Sequence, residues 1–145
     1  MADQASSTIT IDAPVDAVLA VIADIESYPQ WTGQIKSAAV VEHDSDGRPH
    51  QARFVMDAGV LKDEYLLEYV WSDSGVELQL VGKSTVQKSQ VGSYALATKG
   101  GATEVTYKLT VDIAMPMLGM FKRKAEKMIM DSALKELKKR VESQS

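Results

Sequence analysis

Four tyrosines stand where strand-like alternation turns them to one side: Tyr65, Tyr69, Tyr94 and Tyr107. Each offers an apolar ring and one hydroxyl that must find a partner when buried. Such a set suits a guest with a few oxygens on a mostly apolar body, and ordinary sheet packing accounts for it almost as well. Lys88 and Gln90 share the parity of Tyr94, and Asp63 that of Tyr65, so these are the polar candidates beside the rings. The run 84–98 reads ambiguously, because a one-residue slip or bulge would reverse its inward set.

No catalytic constellation accompanies them. His43 and His50 bracket a polar turn and are expected in solvent. Glu42, Asp44, Asp46 and Gly47 begin like a calcium loop, but its twelfth position would be Arg53, where a bidentate glutamate is needed. No zinc-type spacing of His, Asp and Glu is present, and no phosphate-binding glycine motif. Zero cysteines remove thiolate ligands, a cysteine nucleophile and disulfides. The expectation is no catalytic residue, no metal and no cofactor.

Methionine adds a second signal. Met115, Met117, Met120, Met128 and Met130 place five of the seven methionines within sixteen residues. An unbranched, polarizable side chain makes a wall that reshapes around varied apolar guests, and it equally fills a core beneath a helix.

The 145 residues, 45% hydrophobic and 25% charged, suit one globular domain, taken as 1–145, with a core that needs no covalent staples. The first residues have no basic start and no long apolar run, and no stretch is long enough to span a bilayer, so the expectation is a cytoplasmic protein without integral membrane association. The net charge of −4 is unevenly spread. Residues 122–142 hold eight basic and four acidic side chains, a local +4 that leaves −8 for the remainder. A solvated helix face explains this most simply; weak contact with anionic surfaces is the alternative, and DNA is not an expected partner.

Elements must position these side chains. A short strand over 8–12 leads into a helix opened by Pro14, with Asp12 or Ala13 as cap and Val15, Val18, Leu19 and Ile22 as its buried face. Pro29 biases Tyr28 away from helical dihedrals, so that helix ends near Asp24, with a bent helical turn following. Strand patterns then occupy 35–42, 51–57, 61–71, 76–81, 84–98 and 104–113, separated by turns at Asp46-Gly47, Asp73-Ser74-Gly75 and Lys99-Gly100-Gly101. Hairpins this close leave no room for crossovers, so the sheet is antiparallel. Beyond Pro116 comes a helix with two apolar faces: Leu118, Phe121, Ala125, Met128 and Ile129 on one, Met130, Leu134, Leu137 and Val141 on the other.

The opening Ile9-Thr10-Ile11-Asp12-Ala13-Pro14-Val15-Asp16-Ala17-Val18, with Ile22-Ala23-Asp24 and Ser27-Tyr28-Pro29-Gln30-Trp31, resembles the polyketide cyclase/dehydrase and lipid-transport family of the START-like superfamily. The resemblance runs through essentially the whole chain. It implies an α+β helix-grip fold, in which a curved antiparallel sheet wraps a long C-terminal helix, with two short helices after the first strand. It also implies an elongated internal cavity, and a family whose members carry lipids, sterols or quinones, cyclise polyketides, or serve as interaction modules. The leading expectation is binding of a small hydrophobic molecule that is lipid-, quinone- or polyketide-like. Cyclase or dehydrase chemistry is the alternative, with Tyr65, Tyr94, Asp63 and Lys88 as its acid–base groups, and an interaction module using the basic helix is a third. The residues expected around the ligand are Trp31, Phe54, Met56, Tyr65, Leu67, Tyr69, Leu80, Gln90, Tyr94, Tyr107, Met117, Met120, Phe121 and Met128.

Overall fold

The computed structural model describes residues 5–33, 35–57, 62–84, 87–113 and 119–143. Strand β1 (Ala5–Ile11) is followed by helix α1 (Val15–Ala23), a 3-10 turn (Ile25–Ser27) and the short helix α2 (Tyr28–Trp31). Six strands come next: β2 (Ile35–His43), β3 (Pro49–Asp57), β4 (Lys62–Ser72), β5 (Gly75–Val81), β6 (Gln87–Lys99) and β7 (Ala102–Ile113). Helix α3 (Gly119–Ser143) closes the order. The seven strands form one curved antiparallel sheet in the order β1-β7-β6-β5-β4-β3-β2.

Alternation decides which face is inside. In β4, Tyr65, Leu67 and Tyr69 are buried while Glu64 and Val70 are exposed. The same inner face takes Ala52 and Phe54 from β3, Val76 and Leu78 from β5, Leu96 from β6, and Val105, Tyr107 and Leu109 from β7. Across from it, Met130, Leu134, Leu137 and Val141 of α3 pack with Val18, Ile22 and Ile25. Helix α3 runs along β1 and β7 and meets α1 and α2.

Side chains from other elements occupy part of each sheet edge, which blunts pairing with other chains. Beside β1, Lys138 Nζ donates to the Thr10 carbonyl at 2.8 Å, Glu142 accepts the Asp12 amide at 2.9 Å, and the Ser7 hydroxyl donates to Asp131 at 2.7 Å. The Ser7 hydroxyl is the main reason the Asp131 carboxyl lies below its ordinary range. At the β2 edge, Glu26 accepts the Val40 amide at 3.2 Å.

Local differences from the expected elements have physical causes. Pro14 is the N-cap of α1 rather than its first helical residue, with extended dihedrals and no side-chain cap bond. Tyr28 is helical after all (φ −51, ψ −42), because Pro29 falls in the first turn of α2, where its missing N–H has no intrahelical acceptor. The Tyr28 hydroxyl, bonded to the Ile22 carbonyl at 2.5 Å, helps to hold that turn. Gly47 adopts φ +81 in the Asp46-Gly47 turn, the left-handed region expected of that pair. Residues 114–118, including Met115, Pro116, Met117 and Leu118, lie outside the described residues.

Candidate functional site: a ring-lined cavity

A cavity of about 130 Å³ lies between the inner face of the sheet, α2 and α3. Cross-strand register builds its walls. Phe54 of β3 is paired with Tyr65 of β4, and their rings stack at 5.5 Å. Tyr94 of β6 is paired with Tyr107 of β7, stacked at 4.3 Å with an interplanar angle of 20°. Cross-strand neighbours on one face are close enough for such ring contacts. Met56, Leu67, Tyr69 and Gln90 extend these walls, and Trp31 comes in from α2.

Nine of the residues expected around a ligand therefore surround one space: Trp31, Phe54, Met56, Tyr65, Leu67, Tyr69, Gln90, Tyr94 and Tyr107. Leu80 does not. It lies beyond Gln79↔Val91, the last pair between β5 and β6, and packs on the core, while Leu78 takes the cavity position. Met128 is also outside, 61% exposed, because it stands two positions from the buried Glu126 on one side and from Met130 on the other. Two residues are about 200° of helix, so it faces away. Met117 and the side chains of Met120 and Phe121 lie outside the described residues, as does that of Ala125.

Among the described side chains of α3, the lining comes from Ile129, Ser132, Ala133 and Glu136. Their i, i+3, i+4, i+7 spacing was a usable signal, but a stripe of one large apolar residue, two small ones and a carboxylate does not read as a buried face. Tyr28, Thr32, Ile35 and Leu78 complete the additions. Sequence order alone gave no reason to place Thr32 or Ile35 inside.

The polar candidates divide. Gln90 lines the cavity, whereas Lys88 is exposed. A register shift between Gln87 and Ser89 bulges β6 there and turns Lys88 out. Asp63 is buried but belongs to a separate cluster: both its oxygens accept from the Ser84 hydroxyl at 2.7 Å, and Gln87 Nε2 donates to it at 2.7 Å.

Burial governs the electrostatics. The phenols of Tyr28, Tyr65, Tyr69 and Tyr94 are raised well above the ordinary value, first by burial and then by neighbouring phenols and carboxylates. Tyr107 is pushed up by burial to about 12. These hydroxyls are protonated near neutral pH, so they are hydrogen-bond donors and not bases. Among the described lining residues the one carboxylate is Glu136, which accepts the Gly33 amide at 3.2 Å. No group of His, Asp and Glu among the described residues is placed to hold a metal.

The basic surface of α3 is partly neutralised by its own acids. Lys127 pairs with Asp131 at 3.3 Å and Lys138 with Glu142 at 2.7 Å. No described helix is long and apolar enough to cross a membrane.

A family model described as polyketide cyclase/dehydrase and lipid transport matches residues 3–142. A START superfamily protein from Mycobacterium smegmatis shares the fold with a TM-score of 0.91 at 22% identity, over 98% of this chain and 99% of that one. A protein from Thermus thermophilus follows at 0.82 and 23%, over 99% of both chains. The Zhui aromatase/cyclase from Streptomyces sp. R1128 gives 0.77 at 13%, over 98% and 94%. At these identities the likeness is one of fold. No curated protein sequence matches the chain.

Proposed function

The chain belongs to the polyketide cyclase/dehydrase and lipid-transport family, and we propose that it binds a small hydrophobic molecule in the ring-lined cavity without transforming it. The observation that carries this reading is the lining itself: unfilled space walled by stacked aromatic pairs and aliphatic side chains, with a few donors and no described catalytic pair. Mostly apolar, concave sites with a few convergent polar groups are what small-molecule sites look like.

Size sets a condition on uptake. Ligand pockets usually measure ~300–1,000 Å³, so a cavity of about 130 Å³ must widen to admit a lipid-sized or polyketide-sized guest. The seam between α2 and α3 is held by two exposed polar contacts, Gly33 N–H to Glu136 at 3.2 Å and Arg140 to Gln30 at 3.1 Å. Exposed contacts of this kind contribute little net stability, so this seam is the proposed way in.

Cyclase or dehydrase chemistry is the second reading, favoured by the protonated phenols of Tyr65 and Tyr94, which would polarise a substrate carbonyl. Against it, two of its four candidate groups are elsewhere, Asp63 in its own hydrogen-bonded cluster and Lys88 in solvent.

Native mass spectrometry after exposure to a host extract tests the binding reading. The folded protein should retain an apolar compound at unchanged mass, and Ala133→Phe, which fills the cavity from α3, should retain none while staying folded. A retained compound shortened by the mass of water would favour the cyclase reading. Wild-type protein that captures nothing, or a filled variant that binds equally well, would defeat cavity binding.

A further inference from the structure

Two buried polar atoms at the α2 end of the cavity have no partner among the described residues: Nε1 of Trp31 and Oγ1 of Thr32. Both residues line the cavity. The chain's other indole shows the usual arrangement, for Trp71 Nε1 donates to the Pro49 carbonyl at 2.6 Å. An indole nitrogen only donates, so what Trp31 lacks is an acceptor. Buried polar groups in native proteins are nearly always paired, so an unpaired one on a residue that lines a cavity calls for an explanation.

Charge narrows what that acceptor can be. Among the described lining residues there is no lysine, arginine or histidine. Glu136 stands beside this segment, bonded to Gly33, the next residue after Thr32. Arg140, one turn beyond on α3, donates to Gln30 in an exposed contact and does not line the cavity. An ionised carboxylate entering here would lose its water, gain no cation and face a like charge. A carbonyl oxygen meets none of these penalties. The stacked pairs Phe54/Tyr65 and Tyr94/Tyr107 favour a flat body over a coiled chain.

From these observations, and on the strength of the binding reading above, we infer that the cavity takes a neutral, flat, carbonyl-bearing ring compound. Its carbonyl oxygen accepts the Trp31 indole N–H, the Thr32 hydroxyl supplies a second polar contact, and the matching carboxylate is rejected.

The test is a ¹H–¹⁵N NMR titration of the full chain with three bicyclic probes: 1,4-naphthoquinone, naphthalene and 1-naphthoate. Having no cysteine, the protein cannot consume the quinone by thiol addition. Trp31→Phe assigns the two indole signals. The expected result is that naphthoquinone moves the Trp31 indole signal and leaves that of Trp71 in place, and that naphthoate binds at least about tenfold more weakly. Trp31→Phe should weaken naphthoquinone by ~3–10-fold more than it weakens naphthalene, the worth of one neutral hydrogen bond. Cavity backbone shifts with a stationary Trp31 indole would mean that its N–H is settled against the Tyr28 ring, which lies edge-on at 5.1 Å. That outcome overturns the anchor and leaves cavity binding standing, as would naphthoate binding equal to naphthoquinone. Failure of all three probes to bind overturns both.

Discussion

One carboxylate oxygen of Glu126 accepts the backbone amide of Val111 at 2.8 Å, and the glutamate is only 2% exposed. Among the described residues the pairing of β1 with β7 reaches Ala5↔Leu109, two positions short of Val111. A side chain of α3 thus supplies the acceptor for this amide and ties helix to sheet. Leaving a buried amide unpaired costs ~1–3 kcal/mol. Glu126→Ala should therefore lower unfolding stability by about that amount in urea titrations, and Glu126→Gln, which keeps an acceptor, by less. Equal stability of the alanine variant and the wild type would show that the contact contributes nothing.

All five tyrosines of the chain are raised above the ordinary value of 10. The unfolded chain loses phenolic protons near pH 10 and the folded chain keeps them. Each such tyrosine thus contributes stability that is whole below pH 10 and is lost as pH climbs toward its folded value, about 12 for Tyr107. Stability should fall by ~1.4 kcal/mol per pH unit for each proton withheld. Tyrosinate absorbance at 295 nm should consequently appear in one cooperative step that coincides with loss of circular dichroism. A tyrosine that titrates near pH 10 in the folded protein would contradict the buried cluster.

Most of the fold is readable because its signals are local. Period-two alternation in β3, β4 and β7 and the turn at Asp46-Gly47 leave one way to fold the meander, and the segment from Ile9 to Trp31 carries the family resemblance. The cavity is legible where it rests on that alternation, as at Tyr65, Tyr69 and Tyr107. It is illegible where tertiary context reverses a residue's habit. Glu126 reads as a solvated charge and is buried against the Val111 amide, which it accepts. Lys88 shares the parity of the cavity residues, but a bulge turns it out. Ser132, Ala133 and Glu136 line the cavity because α2 stands opposite them, which no feature of their own stretch announces.

The face that α3 turns inward is open to a direct comparison. Met130 is 1% exposed and Met128 61%. Truncating a buried methionine removes packing and leaves a hole, at ~2–5 kcal/mol, whereas exposed substitutions usually stay within ~0.5 kcal/mol. Met130→Ala should therefore destabilise by roughly that larger amount, and Met128→Lys should be nearly neutral in the same denaturation assay. A strongly destabilising Met128→Lys would return Met128 to the interior.

Gly75 opens β5 immediately after the turn at Asp73-Ser74, under the strand that carries Tyr94. A Cβ added there would lie 2.1 Å from the Tyr94 carbonyl oxygen, a backbone atom that cannot swing aside. The two strands would have to separate at the pair Gly75↔Ala95, beside the residue that stacks on Tyr107. Overpacking of this kind costs ~1–3 kcal/mol and occasionally more. Gly75→Ala should accordingly destabilise by at least ~2 kcal/mol and, in whatever protein remains folded, shift the ring signals of Tyr94 and Tyr107. A variant with wild-type stability and unmoved ring signals would mean that β5 and β6 lie farther apart at this point than the geometry gives.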